Sequence, residues 1–265
     1  MRLNPVLRVS AVGISALLLA ACGSSSTPSG TTSPTGSSTS GASGAITVFA
    51  AASLKEAFTT IGQQFEAANP GAKVTFNFGA SSTLATQITQ GAPADVFAAA
   101  STKTMDTVVS GGAASGAQTF ATNTMEIATP TTPTVPVTSL ADLANPGVKV
   151  AVCQKDVPCG VAADKLFSQN NLTVTPVSQE VDVKAVLSKV ELGEVDAGIV
   201  YVTDVKAAGD KVVGVTVPTD QNVITTYPIV AIKASAQAAT ASAFVAYVLS
   251  SAGQQVLSAA GFASP

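Results

Sequence analysis

The sequence predicts an α/β fold with mainly parallel sheets, because strand-length apolar runs alternate with segments of helical periodicity nearly to the end. Two further observations agree: Gly, Pro and Asn clusters punctuate the alternation, and no internal repeat or coiled-coil heptad interrupts it. Residues 46–50 read as a buried strand. Leu54, Ala57, Phe58, Ile61 and Phe65 then recur at helical spacing, and Asn69-Pro70-Gly71 stops that helix. Val74, Phe76 and Phe78 alternate as a second strand, a helix runs through Leu84 and Ile88 to Gly91, and 95–99 is a third strand. A strand at 125–128 precedes a Pro/Thr-rich loop, 130–136. A second set follows: a helix near Leu140, a strand at 148–152, helices at 160–167 and 183–192, and a strand at 197–201. Strand 225–232 and helices 236–249 and 253–260 close the chain.

The first 22 residues are an address rather than structure. Arg2 and Arg8 precede a short apolar run, 11–20, and Leu19-Ala20-Ala21-Cys22 ends it. Such a run is too short to span a bilayer and reads as a secretory signal. Cys22 resembles the lipid-bearing cysteine of a bacterial lipobox, the alternative being an ordinary signal peptide with an incidental Cys. Residues 23–44 are Gly, Ser, Thr and Pro except for Ala42, a flexible tether reaching roughly 25 Å.

Residues 45–265 suffice for two modest lobes. Without Arg2 and Arg8 the chain carries 11 basic against 16 acidic side chains, a net charge of −5, and shows no basic patch. Nucleic acid is therefore not an expected partner. The chain contains no His, which excludes a Ser-His-Asp triad and leaves two thiols as a poor zinc site. P-loop and dinucleotide fingerprints are missing too, so neither an enzyme nor a bound cofactor is expected. In an exported chain, Cys153 and Cys159 are expected to form a disulfide.

Five segments carry the chemistry: 49–53, 80–83, 157–160, 182–184 and 198–201. Ser53 and Ser81 each stand between a strand and a helix, and Cys159-Gly160 and Val183 also stand at expected helix starts. Helix starts offer unpaired N–H groups and a positive dipole end, which together bind anions without a formal charge. Each residue also has an ordinary reading. Ser53-Leu54-Lys55-Glu56 is a capping box, and Ser81, Ser101 and Ser139 are cap candidates. Val183 alone is core, Cys159 alone a disulfide partner, Tyr201 alone a half-buried strand aromatic, and Asp95 a structural carboxylate. The set as a whole favours a small dianion.

Phe49-Ala50-Ala51-Ala52-Ser53-Leu54, Ser81-Ser82-Thr83-Leu84-Ala85, Gly91-Ala92-Pro93-Ala94-Asp95 and Gly198-Ile199-Val200-Tyr201 resemble the bacterial periplasmic molybdate-binding proteins in order and spacing. The resemblance runs from Ala45 to Phe262. It implies a two-lobed periplasmic-binding-protein fold of type II with the ligand cleft between the lobes. Lobe one would take 45–124 plus 225–265 and lobe two 125–224, with the two crossings forming a hinge. It further implies that Ser53 and Ser81 donate hydroxyl and N–H groups, Cys159 and Val183 backbone N–H groups, and Tyr201 its phenol. Cys159 departs from the Ala of better-known members. The implied ligand is molybdate or tungstate and the implied partners are an ABC permease and its ATPase. The protein is then expected as a monomer, exported and held by lipid on the outer face of the membrane. The alternatives are a sulfate or phosphate binder, or a surface lipoprotein for sensing or adhesion.

Overall fold

The computed structural model describes residues 41–265; the leader, Cys22 and most of the tether lie outside the described residues. The expected tether is slightly too long at its end. Strand β1 (Ser43–Ala51) already includes Ser43 and Gly44, which pair in register with Gly71 and Ala72, so backbone pairing captures them despite their loop composition.

After β1 the chain makes a 3-10 turn, Ala52–Leu54, and enters α1 (Lys55–Ala68). There follow β2 (Gly71–Gly79), α2 (Ser81–Thr89), β3 (Val96–Ala98) and α3 (Thr102–Ser110). The long strand β4 (Gln118–Pro130) leads to a 3-10 turn, Ala141–Ala144, then β5 (Val150–Cys153), α4 (Pro158–Gln169) and β6 (Ser178–Glu180). Next come α5 (Val183–Glu191), β7 (Ala197–Tyr201), α6 (Val202–Ala208) and β8 (Val212–Thr216). The chain closes with β9 (Ile224–Ala231), α7 (Ala238–Leu249) and α8 (Ser251–Ala260). The helix expected near Leu140 is only the short 3-10 turn.

The strands run in the order β2-β1-β3-β9-β4-β7-β5-β6, with β8 also on β4. The sheet is mixed rather than mainly parallel. β2, β1 and β3 are parallel, as are β7, β5 and β6. Between these groups, β9 and β4 pair antiparallel to each other and to their neighbours. β4 changes partner midway: residues up to Thr124 pair with β9, and from Met125 onward with β7 and β8. One uninterrupted strand thus belongs to both halves. At the change of partner, the Asn222 amide accepts from the Met125 N–H at 3.0 Å and donates to its carbonyl at 2.8 Å.

Strand periodicity of two builds a core on each face of the first half. Val48, Ala50, Val96, Ala98 and Ile229 face one side with Phe58, Phe65 and Phe244, whose rings meet edge to face. Phe49, Phe97 and Val230 face the other side with Leu84 and Met105. The second half has its own core of Val150, Leu166, Val186, Leu187 and Ile199. Each buried Val, Leu, Ile, Met or Phe side chain among these contributes roughly 1.5–3 kcal/mol. Among the described residues no helix is long and apolar enough to cross a membrane.

Candidate functional site

The carboxyl ends of β1, β2, β5 and β6 deliver their helix starts, and that of β7 its last residue, to one place. Ser53, Ser81, Cys159, Val183 and Tyr201 all line a single cavity of about 20 Å³. On this measure a single water needs roughly 10–15 Å³, so the space suits one small solute. Two of the five come from the first half of the sheet and three from the second, so the halves are together around it.

The helix starts supply directed donors. In α2 the first main-chain bond is Leu84 N–H to the Ala80 carbonyl at 3.0 Å, and in α4 it is Val161 to Val157 at 3.0 Å. The N–H groups of Ser81 and Cys159 therefore precede the first helical bond and have no partner within their helices. In α5, Val186 bonds to Asp182 and the Asp182 side chain accepts from Ala185 at 3.0 Å, which leaves the Val183 N–H free in the same way. Pro158 occupies the first position of α4, where its missing N–H costs nothing. Gly160 lies so close to the preceding loop that a Cβ would collide with the Gln154 carbonyl oxygen. Cys153, at the end of β5, and Cys159, in the first turn of α4, are joined by a disulfide with Cα atoms 5.7 Å apart.

The hydroxyls behave differently from the expected caps. Ser53 sits in the 3-10 turn and its Oγ is 2.9 Å from the Tyr227 Oη, while Glu56 turns away to Lys184. The capping box does not form, because the 3-10 turn displaces Ser53 from the cap position and both side chains find other buried or charged partners. Ser81 is the first residue of α2 rather than its cap, and its Oγ accepts from the Ala100 N–H at 3.0 Å. Ser101 does cap α3, accepting from Thr104 at 3.1 Å. Ser139 makes no cap; its N–H donates to Asp142 at 2.9 Å. Asp95 is structural, accepting from the Thr47 N–H at 2.7 Å.

Tyr201 ends β7 almost fully buried, and its Oη has no hydrogen-bond partner among the described residues. Burial, then the neighbouring Tyr227 and Asp204, push its phenol well above the ordinary value. Burial also raises Tyr227, against the opposing bond from Ser53. Both phenols remain protonated at neutral pH, so each keeps an O–H. Among the described residues no lysine or arginine lines the cavity, and the one carboxylate there, Asp182, is engaged as a helix cap. Among the described residues no group of three metal-ligating side chains occurs.

Three supporting residues were not legible as such. Tyr227 reads in sequence only as part of a strand beside Pro228, and nothing local marks its reach to Ser53. Asp204 is buried, accepts from the Tyr201 N–H at 3.1 Å and pairs with Lys184 Nζ at 2.9 Å. Its position three residues after Tyr201 is the acid position of a helix first turn, which was the available signal. Burial raises the Asp204 carboxyl, opposed by Lys184 and the Tyr201 N–H. For Lys184 burial acts downward, but Asp204 and Glu56 override it and hold the ammonium above its ordinary value.

Comparison with known proteins gives the family and the fold. The profile of the bacterial extracellular solute-binding protein family matches residues 46–263. The molybdate-binding protein ModA of Mycobacterium tuberculosis is 46% identical over 256 residues, covering 95% of this chain and 96% of that protein. Among solved structures, the periplasmic molybdate-binding protein of Azotobacter vinelandii superposes with a TM-score of 0.70 at 22% identity, covering 83% of this chain and 99% of that one. The sulfate-binding protein SubI of Mycobacterium tuberculosis gives 0.69 at 19% identity, covering 82% and 86%. At these identities the superpositions speak for the fold alone, a two-lobed periplasmic-binding-protein fold. The profile and the ModA identity together show that the chain belongs to the bacterial extracellular solute-binding protein family, in the branch of the molybdate-binding proteins.

Proposed function

We propose that this protein captures molybdate, and tungstate as a close mimic, outside the cytoplasm and hands it to an ABC permease driven by its ATPase. The observation that carries the reading is the cavity itself. Four helix-start segments, two serine hydroxyls and an unpartnered buried phenol converge on it, and no cationic side chain lines it among the described residues. A dianion placed there accepts hydroxyl and N–H bonds from Ser53 and Ser81, N–H bonds from Cys159 and Val183, and the Tyr201 O–H. Charge-assisted bonds of this kind contribute on the order of 1.5–3 kcal/mol each. Neutral donors also suit a ligand that must be released again, because no buried countercharge retains it.

In this reading the role is capture rather than catalysis, and the protein needs no resident cofactor. The two halves close about the paired strands β4 and β9, and the Cys153–Cys159 disulfide fixes the loop that presents the Cys159 N–H. Lipid on Cys22 and the tether between it and β1 would hold the protein, as a monomer, at the outer face of the membrane. Cavity size, not charge, selects molybdate over the smaller sulfate, since both are tetrahedral dianions.

Isothermal titration of the purified protein with molybdate, tungstate, sulfate and phosphate tests the reading. One-to-one binding of the first two with no heat from the others is the expected result. Preference for sulfate or phosphate would transfer the role to another oxyanion. Silence for all four would return the five segments to helix capping and core, and leave a sensing or adhesion lipoprotein.

A further inference from the structure

We propose that Glu56 and Lys184 form a clasp across the cleft that sets how long the bound anion stays, without either side chain touching it. The inference rests on the oxyanion reading of the cavity and adds to it two positioning residues outside the donor set.

Among the described residues, Lys184–Glu56 is the only ion pair that joins the two halves; the others lie within one half. Its partners are placed by the same short segments that line the cavity. Glu56 follows Ser53 by one turn at the start of α1, and Lys184 follows Val183 at the start of α5. Lys184 Nζ lies 2.8 Å from Glu56 Oε2 and 2.9 Å from Asp204 Oδ1.

The two contacts are not equivalent. Asp204 is wholly buried and belongs to the same half as Lys184, whereas the Glu56 side chain is about half exposed (48%) and comes from the other half. Asp204 therefore keeps Lys184 aimed whether or not the halves meet. Its second oxygen holds the Tyr201 N–H, which ties the clasp to the strand end that carries the cavity phenol. Glu56 joins only on closure, and it leaves first on opening. An interaction made only in the closed form slows release and leaves encounter with the open form unchanged.

Stopped-flow kinetics of molybdate binding to the full-length protein tests the clasp, comparing wild type with Glu56→Gln and Glu56→Lys. A half-exposed ion pair of this kind corresponds to roughly a two- to fivefold change. The dissociation rate is expected to rise by about that factor in Glu56→Gln and further in Glu56→Lys, whose like charge opposes Lys184. The association rate and the ligand-free melting temperature of Glu56→Gln stay at the wild-type values. The difference from wild type vanishes near 1 M salt, where the screening length falls to about 3 Å. Equal dissociation rates in all three proteins would overturn the clasp while leaving the oxyanion site intact. A wild type that takes up no molybdate would remove the site reading, and the clasp with it.

Discussion

Replacing Tyr201 by Phe separates ligand binding from folding by the sign of the two effects. The ring stays packed against Tyr227, with centroids 6.1 Å apart, and only the hydroxyl is lost. That hydroxyl is buried and has no hydrogen-bond partner among the described residues. An unsatisfied buried polar group costs about 1–3 kcal/mol, so its removal does not weaken the ligand-free fold. The melting temperature of the free protein is expected to hold or to rise by about 2–4 °C per kcal/mol recovered. Towards a dianion the same hydroxyl is a charge-assisted donor of about 1.5–3 kcal/mol, so the Kd for molybdate should rise roughly 10- to 100-fold. Calorimetric titration and ligand-free thermal unfolding of one preparation give both numbers. A variant that melts lower without ligand and binds as tightly as wild type would show that the phenol serves the core and not the anion.

Ser81→Ala is expected to raise the Kd as well, but to lower the melting temperature of the ligand-free protein. Its Oγ accepts from the Ala100 N–H, and leaving that buried donor unpaired costs about 1–3 kcal/mol of stability alongside the weaker binding, measurable by the same two assays. Reduction of the Cys153–Cys159 disulfide should cost about 2 kcal/mol by closure of so short a loop, and should weaken anion binding as the Cys159 segment loosens. Intact mass after alkylation of the native protein checks the premise: two free thiols would end it. Glu66 provides a pH signature. The Val74 N–H at 2.7 Å, then Lys73, hold its carboxyl below the ordinary 4.5. A depressed carboxylate stabilises the fold above pH 4.5 and loses that contribution as pH falls through its folded value. Glu66→Gln should therefore melt lower than wild type at pH 7, by roughly 2–4 °C for a bond of about 1 kcal/mol, with the gap closing in acid. A gap that persists unchanged at pH 3 would contradict the assignment.

Strands and helices with strong periodicity were legible in the sequence. The alternation of Val74, Phe76 and Phe78 gives β2, and the strand at 197–201 coincides with β7. The first part of β4 was not, because Gln118, Thr119, Thr122, Asn123 and Thr124 read as loop; pairing with β9 makes them strand. β6, β8, α3 and α6 were missed as well; they are short, and exposed residues interrupt their apolar pattern. The convergence of the five cavity residues was accessible through the resemblance and the logic of helix starts. The buried partner Tyr227 acts across the fold, 174 positions from Ser53, where no local pattern records it; Asp204, three residues after Tyr201, left a local signal that its residue type alone does not mark as buried. The caps at Ser53 and Ser81 failed for a related reason. A hydroxyl takes the strongest partner that tertiary structure offers, here Tyr227 and the Ala100 N–H.

The returning strand β9 also imposes an order of assembly. β3 pairs with β1 on one side, but its other edge meets only β9, so Val96 waits for Ala231 near the end of the chain. Until then the first half shows an open strand edge, and Phe58 and Phe65 lack the Phe244 ring that covers them. The second half needs nothing beyond β8 and the Asn222 clip to complete its own pairing. On emerging from an export channel in sequence order, the first-made segment is thus the last to be sealed. Such late, long-range closure is slow and leaves an edge that can recruit a neighbouring chain. Damage to the last forty residues, far from the anion donors in sequence, would accordingly be felt as misassembly of the protein's beginning.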